Sequence, residues 1–282
     1  MRKISKVGQI LSQMILLLVG LYVVLPIWGM MRLALDGSLI SRPIEFRFFP
    51  KTFSIQPLLE VLQRPYQSVE FSILLRNSLA VSIGAALMAL VLGASLAYAF
   101  ARFRFPGRKS GLLVILLTAV IPPIAFATPL YIVLSILKLR TTLFGLVIVY
   151  AVFALPFCIW NLRAAFQSVP RELEEAAYLD GAGNLTTFRF VSLPLALPSI
   201  GIAALISFLM GYSEFAIGWL FVDKASTVTL SMAIYAMVQS GNAQPWSILG
   251  SLVLLMSLPV IVIFLVFQKT LMERMMFGSP DS

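Results

Sequence analysis

Residues 77–101 read NSLAVSIGAALMALVLGASLAYAFA, a run of 25 positions without a charged side chain. A charge at the centre of a bilayer costs roughly 2.5 to 3.5 kcal/mol, and about 20 apolar residues in a helix cross the hydrocarbon core. This stretch therefore predicts a transmembrane helix. The whole chain supports the same interpretation, because its 282 residues are 60% hydrophobic and only 12% charged, unlike those of an ordinary soluble domain.

Other long runs without charge divide the rest of the chain. They cover residues 7–31, 110–137, 141–162, 190–222 and 225–268, with Glu214 as the only interruption. The last run is too long for one helix, and its polar segment 239–245 separates a short apolar piece, 227–238, from a final span, 246–268. The pattern predicts an all-α polytopic membrane protein with six transmembrane helices. An even number of spans places both termini on the same side.

The distribution of basic residues predicts that this side is the cytoplasm. With the N-terminus inside, 12 of the 21 lysines and arginines lie in the cytoplasm and 9 outside. The local signal is stronger, because the short connector 102–109 carries four positive charges, and short loops are where the positive-inside rule operates. The first apolar run is longer than that of a secretory signal and lacks a small-residue cleavage site, so we expect it to be retained.

The residue inventory excludes several chemistries. Histidine is absent and Cys158 is the single cysteine, which leaves no disulfide framework, no Cys/His zinc site and no imidazole for catalysis. No Gly-Lys dipeptide occurs, so a phosphate-binding loop of the G-x-x-x-x-G-K-[ST] type is absent, and any ATP must be bound by another chain. The net charge of +9 comes from residues that flank apolar runs, without a nucleic-acid-binding motif. The lipid bilayer, and not nucleic acid, is the predicted partner.

Two further features concern the shape of the chain. Segment 32–76 is the only long predicted stretch outside the membrane, and it is interpreted either as a cap on the outer face or as a plain linker. Prolines occur inside the predicted spans, at Pro122, Pro123, Pro156, Pro194, Pro198 and Pro259. Each removes a backbone hydrogen-bond donor, so we expect kinked helices.

The connector between the fourth and fifth predicted spans has the pattern of a surface helix. Ser168 is the predicted N-cap, and Pro170 and Glu172 suit the first turn, where the helix dipole is positive. Gly181 and Gly183 are the predicted stop, because a left-handed terminal residue costs little without a Cβ. We therefore expect a helix of roughly three turns.

One face of this helix is narrow and built from small residues. Leu173, Ala176, Ala177 and Asp180 recur at helical spacing, with Arg171 and Glu175 at the edges. Small side chains allow another backbone to approach closely. Local physics alone leaves two interpretations open, a docking face or a helix that only stiffens the loop.

The spacing within this connector resembles a known signature. Glu175-Ala176-Ala177 is followed after three residues by Gly181 and after nine more by Val191-x-Leu193-Pro194. This is similar to the Glu-Ala-Ala signature of permease subunits of ABC importers, with valine in place of isoleucine. Arg76-Asn77-Ser78-Leu79, the segment 97–107 and Phe267-Gln268-Lys269 look like the maltose-type carbohydrate permeases, in particular the smaller of their two membrane subunits.

The resemblance covers about residues 70–272 and implies a type I ABC importer permease fold in the inner membrane of a bacterium. It divides the chain into an N-terminal span with its outer loop (1–69), the permease domain (70–272) with a coupling loop (163–194), and a tail (273–282). The implied function is a non-catalytic subunit for import of a sugar or polyol. A self-sufficient, ion-coupled transporter is the alternative.

The resemblance also implies partners and roles for individual residues. The partners would be a second homologous permease, two ATPase subunits that bind ATP and magnesium, and an extracytoplasmic solute-binding protein; this chain itself would hold no cofactor. The residues expected to couple to the ATPase are Glu174, Glu175, Ala176, Ala177, Asp180, Gly181, Leu193 and Pro194. Gly181→Asp is expected to abolish transport without preventing membrane insertion.

Glu214 is the only acid within a predicted span, and an intramembrane carboxylate is a functional-site hypothesis. Three roles are open: a gate or substrate contact, a structural hydrogen bond, and proton coupling. Asn77, Tyr212 and Ser213 join Glu214 as candidates for the substrate pathway. Tyr212-Ser213-Glu214-Phe215 departs from the Trp-Asn-Glu-Phe that is frequent in the family.

Overall fold

The computed structural model describes residues 6–45, 47–63, 66–67, 69–240 and 245–277, with residues 269–277 described by their backbone alone. Arg2, Lys3, most of the polar segment 239–245 and the end of the predicted tail, 278–282, lie outside the described residues. Within the described ranges the chain is helical and has no β-strand, only two isolated bridges. The all-α fold class is therefore confirmed.

The helices are α1 (Lys6–Ala34), α2 (Gln56–Gln63), α3 (Phe71–Arg102), α4 (Arg108–Thr118), α5 (Ala127–Ile136), α6 (Leu143–Ser168), α7 (Arg171–Leu179), α8 (Asn184–Thr187), α9 (Leu193–Leu195), α10 (Leu197–Ser213), α11 (Ala216–Phe221), α12 (Leu230–Gln239) and α13 (Trp246–Phe277). In the described ranges, 3₁₀ turns also occupy Pro123–Phe126 and Ala225–Thr227, and a π-helix occupies Phe188–Ser192.

Among the residues that the structure describes, four helices are long and apolar enough to cross a membrane. These are α1, α3, α6 and α13, and they match the predicted spans 7–31, 77–101, 141–162 and 246–268. Two bent pairs, α4 with 123–136 and 184–195 with α10, raise the number to six if each pair is one span. The count of six therefore stays a prediction. The predicted short piece 227–238 corresponds to α12 with the 3₁₀ turn before it.

The third and fifth predicted spans are not single helices. The third bends by 100° between Thr118 and Pro123, where Pro122 and Pro123 supply no backbone N–H. The fifth bends by 78° near Ala196. It also ends at Ser213, before α11 begins at Ala216. Pro156 and Pro259 behave differently, because α6 and α13 continue through them as helices.

The chain forms two compact units. One contains residues 1–71 and 234–258, and the other contains residues 72–233 and 259–282. In the first unit, the Ser251 hydroxyl donates to the carbonyl of Ala34 at 3.2 Å, and Trp246 N–H donates to Ile40 at 3.2 Å. These bonds join the end of α1 to the start of α13.

In the second unit, α3 and α6 approach closely at glycines. A Cβ built on Gly93 would lie 2.8 Å from Cys158 Cβ, and one built on Gly84 would lie 2.9 Å from Val147. Helix α6 also packs against α10, where the buried Cys158 sulfur lies 3.0 Å from the Ser207 hydroxyl. The two glycines therefore set the separation of α3 and α6.

This close approach predicts the effect of one added methyl group. Gly93→Ala is expected to push α3 from α6 and to cost about 1 to 3 kcal/mol of stability, as overpacking does in a filled core. The measurement is thermal unfolding of the purified protein in detergent. Gly111→Ala in α4 is the matched control, because its Cβ would meet Phe100 at an ordinary 3.7 Å. Equal melting temperatures for the two variants would contradict the prediction.

Candidate functional site

The start of α7 differs from the predicted cap. Ser168 is the last residue of α6, and its hydroxyl donates to the Ala165 carbonyl at 2.8 Å. It therefore does not cap α7, which begins at Arg171 after Pro170, without a side-chain cap. Pro170 has an extended backbone, with φ −56° and ψ 131°, and this separates α6 from α7 by a sharp turn.

The end of α7 follows the prediction at Gly181. Its φ is +85°, and its N–H donates to the Tyr178 carbonyl at 3.0 Å, while Ala182 N–H donates to the Ala177 carbonyl at 2.9 Å. This pair of bonds is a Schellman motif, which satisfies the last carbonyls of the helix. Gly183 does not share the left-handed conformation: its φ is −82°, and it precedes α8.

Glu174 is the anchor beneath α7. Its side chain is buried, and Arg102 Nε lies 2.9 Å from its carboxylate. Ser192 donates its hydroxyl to the same carboxylate at 2.6 Å, and a second Arg102 nitrogen donates to the Val169 carbonyl at 2.8 Å. The carboxylate of Glu174 thus joins α7 to the end of α3 and to the π-helix, and Arg102 also holds the turn before α7. A buried ion pair is stable only with such additional hydrogen bonds.

An aromatic cluster lies under this ion pair. The ring of Tyr98 is 4.8 Å from that of Phe188, 5.5 Å from Phe166 and 5.8 Å from Phe103, measured between centroids. Phe166 is fully buried. Tilted and edge-on rings at these separations attract each other beyond simple area burial. The cluster therefore packs α3, the end of α6 and the π-helix against one another.

The side of α7 that faces away from Glu174 is not covered by other residues in the part of the chain that the structure describes. Its exposed residues are Arg171, Glu172, Leu173, Glu175, Ala176, Tyr178, Leu179 and Asp180, with Leu179 90% exposed. Ala177 is half-buried. Of the other predicted coupling residues, Leu193 is half-buried and Pro194 is exposed. The helix is therefore held to the bundle through Glu174, and its opposite side is exposed.

Glu214 occupies the break between α10 and α11. Its carboxylate accepts the N–H groups of Ile217 at 2.8 Å and Gly218 at 3.2 Å, so it caps the short helix α11. Gly218 is needed there, because an added Cβ would overlap the Tyr150 hydroxyl and Met232. A carboxylate at a helix N-terminus is favoured by the dipole and satisfies unpaired donors.

The other three candidates for the substrate pathway have local contacts. Asn77 is fully buried and donates to the carbonyls of Ser226 at 2.8 Å and Val228 at 3.0 Å, which positions the turn before α12. Tyr212 is buried and stacks on Phe208, with centroids 5.3 Å apart. Ser213 is exposed, and its hydroxyl donates to the Leu209 carbonyl of its own helix.

Sequence reasoning missed three residues that hold these elements. Arg102 and Ser192 complete the anchor of Glu174. Arg140 pairs with Asp223 and joins the turn before α6 to the loop after α11. An arginine that ends a charge-free run, as Arg102 does, is a usable signal, but its partner is 72 positions away. No cluster of three metal-ligating side chains occurs among the described residues.

Known proteins share this sequence pattern and fold. Residues 89–276 match the family of the binding-protein-dependent transport system inner membrane component. The trehalose transport system permease protein SugB of Mycobacterium tuberculosis is 30% identical, over 93% of this chain and 94% of SugB. The maltodextrin transport system permease protein MdxG of Bacillus subtilis is 25% identical, over 72% of this chain and 73% of MdxG.

The fold agrees with these matches. A chain of a bacterial ABC transporter involved in the import of alginate superimposes with a TM-score of 0.74, over 95% of this chain and 99% of that chain, at 19% identity. The resemblance to the permeases of ABC importers is confirmed. The protein therefore belongs to the family of inner membrane components of binding-protein-dependent transport systems, and its helices form the permease fold of an ABC importer.

Proposed function

We propose that this chain is the permease subunit of an ATP-driven importer for a carbohydrate, and that α7 is the helix through which an ATPase subunit moves it. The observation that supports the proposal is that Glu174 of α7 is buried in an ion pair, whereas the opposite side of the helix is exposed. The names of two relatives, a trehalose and a maltodextrin permease, support a carbohydrate as the solute.

The exposed surface of α7 has the chemistry of a docking site. Leu173 and Leu179 are 46% and 90% exposed, and Ala176 between them is short enough for close approach. Apolar side chains that are left open at a surface favour burial against a partner. Glu175 and Arg171 are available at the edges for polar contacts, and Gly181 allows the chain to turn sharply after the helix.

The anchor provides the route for movement. A force applied to α7 reaches α3 through the Glu174–Arg102 pair and reaches the π-helix through Ser192. The π-helix leads directly into α9 and α10, so a shift of α7 displaces both sides of the bundle. ATP favours one arrangement only through its different affinity for the two states, so α7 must stay seated in both.

The other parts of the proposal follow the same organisation. A second homologous permease would complete the pathway, two ATPase subunits would bind ATP and magnesium at the cytoplasmic face, and a solute-binding protein would dock outside. Both termini would lie in the cytoplasm. The candidates for the pathway remain Asn77, Tyr212, Ser213 and Glu214. The two hydrogen bonds that Glu214 accepts from backbone N–H groups support a structural role for that residue.

Reconstitution of the complex tests the proposal. The chain, purified with its permease and ATPase partners and placed in proteoliposomes, is expected to hydrolyse ATP faster when binding protein and solute are added. A panel of mono- and disaccharides identifies the solute. Uptake by this chain alone, driven by an ion gradient, would establish the secondary-transporter alternative instead.

The turn after α7 generates the second prediction. Gly181→Asp is expected to abolish solute-stimulated ATP hydrolysis while insertion stays normal, because it adds charge beside the docking surface at a positive φ. Gly181→Asn is the matched control, since it has the same size and tolerates positive φ without the charge. We expect Gly181→Asn to retain much of the activity. Full uptake by the aspartate variant would remove α7 from the mechanism.

The anchor generates the third prediction. Arg102→Met leaves the Glu174 carboxylate buried without its cation, a change that typically costs about 3 to 5 kcal/mol. We expect α7 to detach, with faster tryptic cleavage at Arg171 and loss of solute-stimulated ATP hydrolysis.

The double variant Arg102→Met/Glu174→Met shows whether the single variant fails because a buried charge is left without a partner. It replaces the pair by apolar side chains, so it is expected to restore protection of Arg171 relative to the single variant. Glu175→Gln, at an exposed acid in the same helix, is the control for protection. Protection that is equally low in the single and double variants would show that the buried pair does not hold α7.

A further inference from the structure

A basic cavity lies where α1 ends, within the unit formed by residues 1–71 and 234–258. It has a volume of about 210 Å³ and is lined by Arg32, Asp36, Arg42, Glu45, Arg47 and Lys51, among others. Four cations thus face two acids. None of its lining residues belongs to α7 or to the candidates for the substrate pathway, so its role does not depend on the proposed function.

Both acids in this cavity already have partners. Asp36 accepts the Ser38 hydroxyl at 2.7 Å and the Lys51 N–H at 3.0 Å. Burial alone raises the pKa of Asp36, but these and further hydrogen bonds from Ser38 and Thr52 outweigh it and hold the pKa below its ordinary value. Glu45 pairs with Arg47 at 3.1 Å. Both carboxylates therefore already have donors or a cation beside them, and the cationic side chains in the lining outnumber the acidic ones.

Arg32 is a buried cation of this cavity, and only part of its guanidinium is hydrogen-bonded. Its side chain is only 7% exposed, and one of its nitrogens donates to the Arg47 carbonyl at 2.6 Å. Its buried Nε has no hydrogen-bond partner among the residues that the structure describes. A buried charged donor without an acceptor is costly, so a negative charge beside the Arg32 guanidinium would be favourable.

A second cleft, of about 410 Å³, continues from the basic cavity and shares Arg32 and Arg47 with it. Its other lining includes Pro26, Trp28 and Leu33 of α1, which are apolar. Beside it, the Trp28 indole donates to the Phe48 carbonyl at 2.7 Å. A tryptophan near the end of an apolar helix is typical of the interface between membrane and water.

We propose that this pair of cavities binds an anionic phospholipid. The phosphate lies in the basic cavity, where the guanidinium groups of Arg32 and Arg42 and the ammonium group of Lys51 supply the positive charge. The acyl chain runs along α1 past Leu33 and Trp28. The continuity of a cationic cavity with an apolar cleft favours a lipid over a free anion, which would need only the first of them.

Quenching of Trp28 by brominated lipids tests this site. The full chain carrying Trp28 as its only tryptophan, with Trp160, Trp219 and Trp246 replaced by Phe, is titrated in detergent micelles. The probes are phosphatidylglycerol and phosphatidylcholine, each with bromine on its acyl chains. We expect phosphatidylglycerol to quench at lower mole fraction, because only its headgroup carries a net negative charge.

Charge variants identify the binding residues. Arg42→Gln/Lys51→Gln is expected to weaken the preference for phosphatidylglycerol by about tenfold, the loss of one charge-assisted hydrogen bond or more. Arg32→Gln is expected to weaken the preference in the same way. If Arg32→Gln fails to fold, the double variant Arg42→Gln/Lys51→Gln still tests the site. Lys138→Gln/Lys224→Gln removes two exposed cations elsewhere and is the matched control, with unchanged quenching.

Competition with inorganic phosphate shows whether the cavity binds a lipid headgroup or a free phosphate ion. Inorganic phosphate at equal concentration is expected to leave quenching by phosphatidylglycerol unchanged. Displacement of the lipid by phosphate would assign the cavity to a free anion and overturn the proposal. Equal quenching by the two lipids, or equal effects of the two double variants, would also overturn it.

Discussion

The contact between Glu174 and Arg102 is the interaction on which the organisation of the second unit depends. It is buried, and it joins residues that are 72 positions apart at one end of the bundle. Removing either partner would leave a charge without compensation in an apolar region. For this reason α7 is joined to both α3 and the π-helix at a single buried carboxylate.

The helices around this anchor show how backbone chemistry shapes a membrane bundle. In hydrocarbon, every backbone polar group must be satisfied, which favours long helices such as α3 and α6. Where Pro122 and Pro123 remove donors, the chain bends by 100°. At Glu214 a side-chain carboxylate supplies acceptors that the helix end lacks. The same carboxylate that suggests a functional site from sequence is thus also a structural cap.

The two units present different chemistry at their surfaces. The second exposes apolar side chains of α7 above a buried ion pair, which suits docking of a protein. The first has a basic cavity that continues into an apolar cleft beside Trp28, which suits an anionic lipid. Docking at α7 is our proposal from its exposed side chains and its buried anchor. Lipid binding is our proposal from the excess of cationic side chains in the cavity and from the apolar cleft that shares its lining.

The sequence by itself determined the class of the protein, the positions of α1, α3, α6 and α13, and the stop of α7 at Gly181. These depend on local properties, namely apolar length and the conformational freedom of glycine. Only the tertiary structure decided that Ser168 belongs to α6, that Arg102 and Ser192 hold Glu174, and that Glu214 caps α11. A cap or a buried ion pair forms only where folding brings two groups within hydrogen-bond distance. For residues far apart in the chain, such as Arg102 and Glu174, no local sequence pattern predicts that distance.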